Sequence, residues 1–153
     1  MKTSRANLLT ETVLAVFRTN GRLIDWGDKF VAQFGLTSAR WQMLGALAMS
    51  KQPLTAPQLA AYMGVSRQGA QKQLNLLVAE NLLSKLPNPR HRRSPCYELT
   101  KLGIKLNTAI EQKWNAHVVK LCSGLDLSDI QAAIRVLMFL SEKHTTTSNG
   151  DEI

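Results

Sequence analysis

Apolar residues recur every three or four positions over residues 3–34, which is the spacing of one face of an α-helix. The pattern is longer than a typical helix of about 11–12 residues. Gly21 and Gly27 interrupt it, and a glycine costs up to about 1 kcal/mol relative to alanine inside a helix. We therefore expect a long first helix that bends at a glycine, splits in two near Asn20, or is closely packed by another element there.

Two short helical patterns follow in the middle of the chain, and then two strand patterns flank a turn rich in proline and arginine. A capping box at Thr55 begins the first helix, and Gly64 permits a tight turn into the second. Ser66 caps the second helix. The strand patterns cover residues 82–86 and 96–99. This order predicts a helix-turn-helix followed by a β-wing.

Two long helical patterns make up the last third of the chain. Thr100 caps the first, which at roughly 1.5 Å per residue reaches about 33 Å, too long for this small domain alone to cover. Gly124 ends it, and residues 128–131 form a second capping box. The last helix is apolar on nearly every side, so we expect it to be buried on several sides. A partner subunit is the natural cover.

Together these elements predict a mainly α protein with a small β-wing. A winged helix-turn-helix DNA-binding region over residues 37–100 would be flanked by a helical dimerisation region formed by residues 1–36 and 101–145. The polar tail, residues 146–153, is expected to be disordered.

The charge balance suits a polyanionic partner, because 19 lysine and arginine residues outnumber 11 acids and leave a net charge of +8. The basic residues concentrate in the middle third, which favours nucleic acid over an anionic membrane surface. No apolar run approaches the roughly 20 residues of a membrane span, and the amino terminus is too polar for a secretory signal. We therefore expect a cytoplasmic protein.

The second helix of the helix-turn-helix has an apolar face and a polar face that carries no acid before Glu80. The capping serine and the polar face supply side chains that suit the major groove: Ser66, Arg67, Gln68, Gln71, Lys72 and Asn75. Arginine donates to guanine, glutamine and asparagine pair with adenine, and lysine reaches phosphate. Most polar stripes are solvated surface, but an amide-rich, acid-free stripe after this turn favours DNA contact.

The turn between the strand patterns carries three arginines and a histidine, with prolines at both ends and no acid. Arg90, Arg92 and Arg93 can enter the narrow minor groove or contact phosphates. The alternative is a basic loop without a target.

Short motifs in the middle of the chain follow a particular order: Leu54-Thr55, Leu59-Ala60, Gly64-Val65-Ser66-Arg67, Asn81-Leu82-Leu83, Asn88-Pro89, Arg92-Arg93, Leu99-Thr100 and Gly103. In these motifs the chain resembles MarR-type transcriptional regulators of bacteria, and the resemblance covers nearly its whole length. It implies a homodimer held by its outer helices and acting as a repressor, or else an activator. Two recognition helices roughly 34–36 Å apart would meet a pseudo-palindromic operator.

The resemblance also assigns parts to the interface. It implies that residues 66–75 form the recognition helix and that the wing arginines contact DNA. Wings of this family usually carry an acid where His91 stands, paired with a wing arginine, and that partner is missing here. The wing would then be looser, or ordered by DNA.

Members of this family often bind small aromatic or phenolic acids between the dimer helices and the DNA-binding part. The candidate pocket residues are four aromatics and an arginine: Trp26, Phe30, Arg40, Trp41 and Trp114. Arg40, or Lys29 beside the aromatics, would receive a carboxylate. For each aromatic residue the alternative is an ordinary place in the core or the dimer interface.

Other functions have less support in the sequence. Cys96 lies beside the cationic wing, which would favour a reactive thiolate, so a redox-responsive regulator is one alternative. Cys122, near a helix end, is expected to be buried. A winged-helix module that binds protein or RNA is another alternative. The chain has no nucleophile–base pair, phosphate loop or metal-ligand spacing, so we expect no enzyme, metal or cofactor.

Overall fold

The first helix of the computed structural model, α1 (Arg5–Val31), is continuous and passes directly into a 3-10 turn at Ala32–Phe34. The expected split near Asn20 is therefore wrong. The structure describes residues 3–145, so the predicted disordered tail, residues 146–153, lies outside the described residues.

The two glycines of α1 differ in their surroundings. A Cβ added at Gly27 would lie 2.4 Å from Ser38 Oγ, so another element does pack closely there. Ser38 Oγ also donates to the Ile24 carbonyl at 2.9 Å. A Cβ at Gly21 would meet nothing within 4 Å. Close packing by another element therefore explains the glycine at position 27 but not the one at position 21.

The remaining elements follow in chain order: α2 (Ser38–Ser50), β1 (Leu54–Thr55), α3 (Ala56–Met63), α4 (Arg67–Ala79), β2 (Leu83–Leu86), β3 (Cys96–Leu99), α5 (Lys101–Cys122) and α6 (Leu127–Lys143). The strands form one antiparallel sheet in the order β1, β3, β2. Leu54 of β1 lies opposite Tyr97 of β3, and Leu83 of β2 lies opposite Leu99. The predicted mainly α fold with a small β-wing is confirmed.

Local hydrogen bonds explain where the two helices of the helix-turn-helix begin. In the predicted capping box, the Gln58 amide donates to Thr55 Oγ1 at 3.3 Å and the Thr55 amide donates to Gln58 Oε1 at 2.9 Å. Gly64 ends α3 with a φ of +66°, a left-handed conformation that glycine adopts without strain. Ser66 Oγ then caps α4 by accepting from the Gly69 amide at 2.9 Å.

The start of α6 differs from the sequence prediction. The capping box predicted at residues 128–131 is wrong, because α6 begins at Leu127 with Asp126 as its N-cap. The Asp126 backbone is extended, and its carbonyl accepts from the Ile130 amide at 3.2 Å. Ser128 therefore lies inside the first turn of the helix and not before it.

The hydrophobic core draws on α1, α2, α3, α4, the sheet and α5. Its most deeply buried side chains are Val31, Met43, Leu44, Leu59, Leu74, Leu77, Tyr97 and Ile110. All of them belong to the first of two compact units, which ends at Glu111. The core of this unit therefore joins the winged helix-turn-helix to the end of α1 and the start of α5.

The second compact unit, from Gln112 onward, comprises the end of α5 and all of α6. Residues 112–145 include none that is buried. Cys122 is exposed, so the prediction that it is buried is wrong for the single chain. No described residue of the second unit buries this end of α5. None of the helices in residues 3–145 is long and apolar enough to cross a membrane.

Gly103, in the first turn of α5, approaches the backbone before β2. A Cβ there would lie 2.1 Å from the Leu82 carbonyl oxygen, which already accepts from the Thr100 amide at 3.1 Å. Gly103→Ala is therefore expected to lower the free energy of unfolding by about 1–3 kcal/mol, because backbone must shift to admit the methyl group. Urea denaturation of the purified protein measures the change.

Gly45→Ala in α2 is the matched control, because a Cβ there meets nothing within 4 Å. Its higher helix propensity should raise the free energy of unfolding by up to about 1 kcal/mol. Equal destabilisation by the two substitutions would contradict the close approach at Gly103.

Candidate nucleic-acid interface

The recognition helix predicted from the sequence is α4, and burial fixes its orientation. Ala70, Leu74 and Leu77 on one face are fully buried. On the other face and at its amino end five of the six predicted DNA-binding residues are exposed: Ser66, Arg67, Gln68, Lys72 and Asn75. The helix thus presents one polar, acid-free surface to solvent.

The sixth predicted residue, Gln71, is half-buried and joins α4 to the sheet. Its Nε2 donates to Asn75 Oδ1 at 2.8 Å and to the Tyr97 hydroxyl oxygen at 2.9 Å. Tyr97 lies in the central strand β3 and is only 1% exposed. Sequence reasoning assigned Tyr97 no functional part. The available signal was its phenol, since a buried tyrosine hydroxyl usually finds a hydrogen-bond partner.

An ion pair holds the carboxyl end of α4. The Arg40 guanidinium of α2 contacts the carboxylate of Glu80, the residue that caps α4. The Arg40 side chain is 15% exposed and that of Glu80 39%, so only the arginine end of the pair is shielded from water. Arg40, a candidate ligand residue from the sequence, therefore already has an anionic partner at the recognition helix.

The wing loop between β2 and β3 is organised by Asn88. Its Nδ2 donates to the Ser94 carbonyl at 2.9 Å, and its Oδ1 accepts from the Arg90 amide at 3.2 Å. The Asn88 carbonyl accepts from the His91 amide at 3.2 Å. An asparagine that bonds to backbone on both sides of a turn shapes that turn locally. The sequence singled out Asn88 only as part of a motif.

The predicted wing contacts, Arg90, Arg92 and Arg93, are all exposed, as is His91. Within residues 3–145 no carboxylate forms an ion pair with a wing arginine. Hydrogen bonds of the Asn88 side chain and carbonyl therefore shape the loop, and the wing arginines are exposed to solvent.

Three of the candidate ligand aromatics come together. The Trp26 and Phe30 rings stack with centroids 4.8 Å apart, and the Phe30 and Trp41 centroids lie 5.4 Å apart. Lys29 pairs on the surface with Asp25 at 3.0 Å. Trp114 belongs to the second unit, where its ring lies 5.9 Å from that of His117.

Cys96, the candidate redox residue, is half-buried in β3 opposite Leu86 of β2 and Thr55 of β1. A thiol inside a paired strand is less accessible to an oxidant than one in a loop. In the part of the chain that the structure describes, no three histidine, cysteine or acidic side chains form a group that could hold a metal ion.

Comparisons with known sequences identify relatives. A model of the MarR family matches residues 34–94. An uncharacterized protein of Mycobacterium tuberculosis is 36% identical over 124 residues, which cover 81% of this chain and 85% of that protein. The transcriptional activatory protein BadR of Rhodopseudomonas palustris is 22% identical over 150 residues, which cover 96% of this chain and 86% of BadR.

Solved structures share the fold. The MarR family transcription regulator SP03579 has a TM-score of 0.73 at 25% identity, with 90% of each chain covered. The S. aureus MepR–DNA complex gives 0.71 at 23% identity and covers 84% of this chain and 96% of MepR. CouR from Rhodococcus jostii RHA1, bound to p-coumaroyl-CoA, gives 0.75 at 16% identity and covers 92% of this chain and 98% of CouR.

The matched segment contains the helix-turn-helix and all three wing arginines. The mycobacterial relative extends the similarity to four fifths of the chain. These findings confirm the resemblance carried by the sequence motifs: the chain belongs to the MarR family of winged-helix, DNA-binding transcription regulators.

Proposed function

We propose that the chain is a homodimeric repressor that reads a pseudo-palindromic operator with α4 in the major groove and the wing beside it. The observation that carries the proposal is the division of α4 into a buried apolar face and an exposed polar face without an acid. Leu74 and Leu77 fix the rotation of the helix, so the same side chains meet any DNA on which it docks. MepR, solved with DNA, has this fold.

The two parts of the interface would contribute differently. Side chains in the major groove discriminate bases through their hydrogen-bonding groups, whereas wing cations contact phosphates or the narrow minor groove. Arg67 lies at the amino end of α4 and reaches base edges, and Lys72 adds a point charge for phosphate. Arg90, Arg92 and Arg93 supply affinity with little base preference. The net charge of +8 makes binding strongly dependent on salt.

Exposed apolar side chains on the outer helices support the homodimer. On α1 they are Leu8, Leu9, Leu14, Val16, Phe17, Leu23 and Ile24, and on α6 they are Leu127, Ile134, Val136, Leu137, Met138 and Phe139. So many large apolar side chains exposed on one helix are unusual for a monomer and indicate an interaction site on each helix. A second copy of the chain, placed by two-fold symmetry, would cover both helices and present two α4 helices to DNA.

Control by a small aromatic acid is the second candidate, and the cluster of Trp26, Phe30 and Trp41 favours it. CouR was solved with p-coumaroyl-CoA bound. Arg40 immediately precedes Trp41 in α2 and pairs with Glu80 at the end of α4. An aromatic carboxylate that attracted Arg40 would weaken this pair and loosen the recognition helix, which would release the operator.

Arg67→Ala is expected to relax base preference, with a loss of about 1–3 kcal/mol on the selected operator and little loss on random duplex. Arg92→Ala should weaken binding to both duplexes by a similar factor and reduce the slope of log affinity against log salt by about 1. Fluorescence anisotropy on the two duplexes measures both effects. Equal losses on operator and random DNA for Arg67→Ala would contradict its assignment, and preference for single-stranded RNA would favour an RNA-binding module.

Phe139→Glu is expected to convert the dimer to monomer, because it puts a charge on an α6 side chain that is 54% exposed in the single chain and buried in the proposed interface. Sedimentation velocity at micromolar concentration measures the state, and operator affinity should fall in parallel. Gln131→Glu, on the same helix with the same introduced charge, is the control and should remain dimeric. A Phe139→Glu variant that stays dimeric would remove α6 from the interface.

Saturating salicylate is expected to quench tryptophan fluorescence, weaken operator binding and raise transcription from an operator-controlled reporter. Benzyl alcohol, which keeps the ring but lacks the carboxylate that would engage Arg40, is the control and should have little effect. Unchanged fluorescence and affinity with salicylate would count against an aromatic-acid effector. Lower transcription after deletion of the regulator would make it an activator.

A further inference from the structure

The hydrogen bonds of Gln71 determine what its side chain can offer to DNA. A glutamine amide has two donor hydrogens on Nε2 and an acceptor oxygen, Oε1. Both hydrogens of Gln71 are used, one by Asn75 Oδ1 at 2.8 Å and one by the Tyr97 hydroxyl at 2.9 Å. Among the described residues, no hydrogen bond engages Gln71 Oε1. The free capacity of the side chain is therefore that of an acceptor.

We propose that Tyr97 fixes Gln71 as an acceptor-only reader, so that the operator base facing Gln71 must carry an amino group in the major groove. The proposal rests on the major-groove position of α4 proposed above. Adenine presents its N6 amino group there and cytosine its N4 amino group, whereas guanine and thymine present only acceptors. The position is therefore read as adenine or cytosine.

This differs from the pairing that the residue type alone suggests. A glutamine free on a helix surface contacts adenine twice, accepting from N6 and donating to N7. With both Nε2 hydrogens engaged, Gln71 cannot donate to N7, so adenine loses its advantage over cytosine. Tyr97 thus acts as a positioning residue: it contacts no base and determines which bases Gln71 accepts.

Burial of Tyr97 explains why its hydrogen bond with Gln71 persists when DNA arrives. Its side chain is 1% exposed, so a hydroxyl abandoned by Gln71 would have little access to water. Leaving a buried polar group without its partner costs more than one base contact gains. Gln71 therefore keeps the Tyr97 bond and meets the base with Oε1.

Asn75 has the complementary property. Its Oδ1 accepts from Gln71, and within the described residues no hydrogen bond engages its two Nδ2 hydrogens. Nδ2 can donate to guanine O6 or N7, adenine N7 or thymine O4. Residues four apart lie on the same helix face one turn apart. The pair therefore presents an acceptor and a donor at neighbouring positions, with the order fixed by Tyr97.

The test begins with selection of an operator from random duplex DNA by the full-length protein. The position facing Gln71 is the one whose preference disappears in Gln71→Ala, and affinities are then measured for all four bases there. For the wild type we expect adenine and cytosine to agree within about threefold and guanine and thymine to bind about tenfold more weakly. A wild-type preference for guanine or thymine, or no such position, would overturn the proposal.

Tyr97→Phe removes only the hydroxyl and frees one Nε2 hydrogen. Adenine should then gain over cytosine by about five- to tenfold, because the second contact to N7 becomes possible. Tyr62→Phe, at the other tyrosine of the chain and 60% exposed on α3, is the matched control and should leave the ratio unchanged. An unchanged adenine-to-cytosine ratio in Tyr97→Phe, with the protein folded by circular dichroism, would overturn the proposal.

Gln71→Glu provides a second variant in case Tyr97→Phe does not fold. A carboxylate is an acceptor only, so its overall affinity falls through repulsion from phosphates while the preference for adenine or cytosine stays. Loss of that preference would overturn the acceptor assignment. Arg67→Ala distinguishes failure of this proposal from failure of the proposed function. If Arg67→Ala alters base preference and Tyr97→Phe does not, the major-groove position of α4 stands and only the role of Tyr97 fails.

Discussion

Burial of the apolar face of α4 is the constraint on which the interface depends. Leu74 and Leu77 are fully buried, and burying a leucine stabilises a fold by roughly 1.5–3 kcal/mol. Neighbouring residues are 100° apart around a helix of about 3.6 residues per turn, so a rotation by one position would expose Leu74 and bury Gln73 or Asn75 in its place. The orientation of the predicted DNA-binding face is therefore a consequence of core packing within the chain itself.

The same core packing also positions the wing. Its central strand, β3, contributes the buried Tyr97 to the core, and the Gln71 hydrogen bond joins that strand to α4. At the other end of the sheet, the Leu82 carbonyl accepts from the Thr100 amide, and Gly103 leaves room for α5 beside it. The base of the wing is thus fixed by core contacts, whereas its tip depends on the short-range hydrogen bonds of Asn88.

The sequence predicted what depends on neighbouring residues. The Thr55 capping box, the left-handed Gly64 and the Ser66 cap each need only three or four consecutive residues, and all three are present in the structure. The Asp126 start of α6 was missed because Ser128 satisfies the same short pattern two positions later. Local patterns therefore establish that a helix begins, while the competing cap decides at which residue.

Contacts between distant residues could not be predicted in this way. Gln71 and Tyr97 are 26 positions apart, and Arg40 and Glu80 are 40 apart, so no periodicity joins them. Both pairs change how a predicted site residue is interpreted. Arg40, expected to receive a carboxylate, already holds the end of α4, and Gln71, expected to pair with adenine, has both of its Nε2 hydrogens engaged.

In the proposed interface, different residues supply affinity and base specificity. The wing arginines carry charge on a loop that no acid neutralises within the described residues, so their attraction to phosphate depends on number and position more than on fine geometry. The amides of α4 carry no charge, so in the proposed interface their contribution to base recognition depends on which atom faces the base. In the proposed network a buried tyrosine sets that atom, because its hydroxyl needs a partner in any case. Core packing therefore orients the predicted DNA-binding residues of α4, and in our proposal it also sets the hydrogen-bonding character that they present.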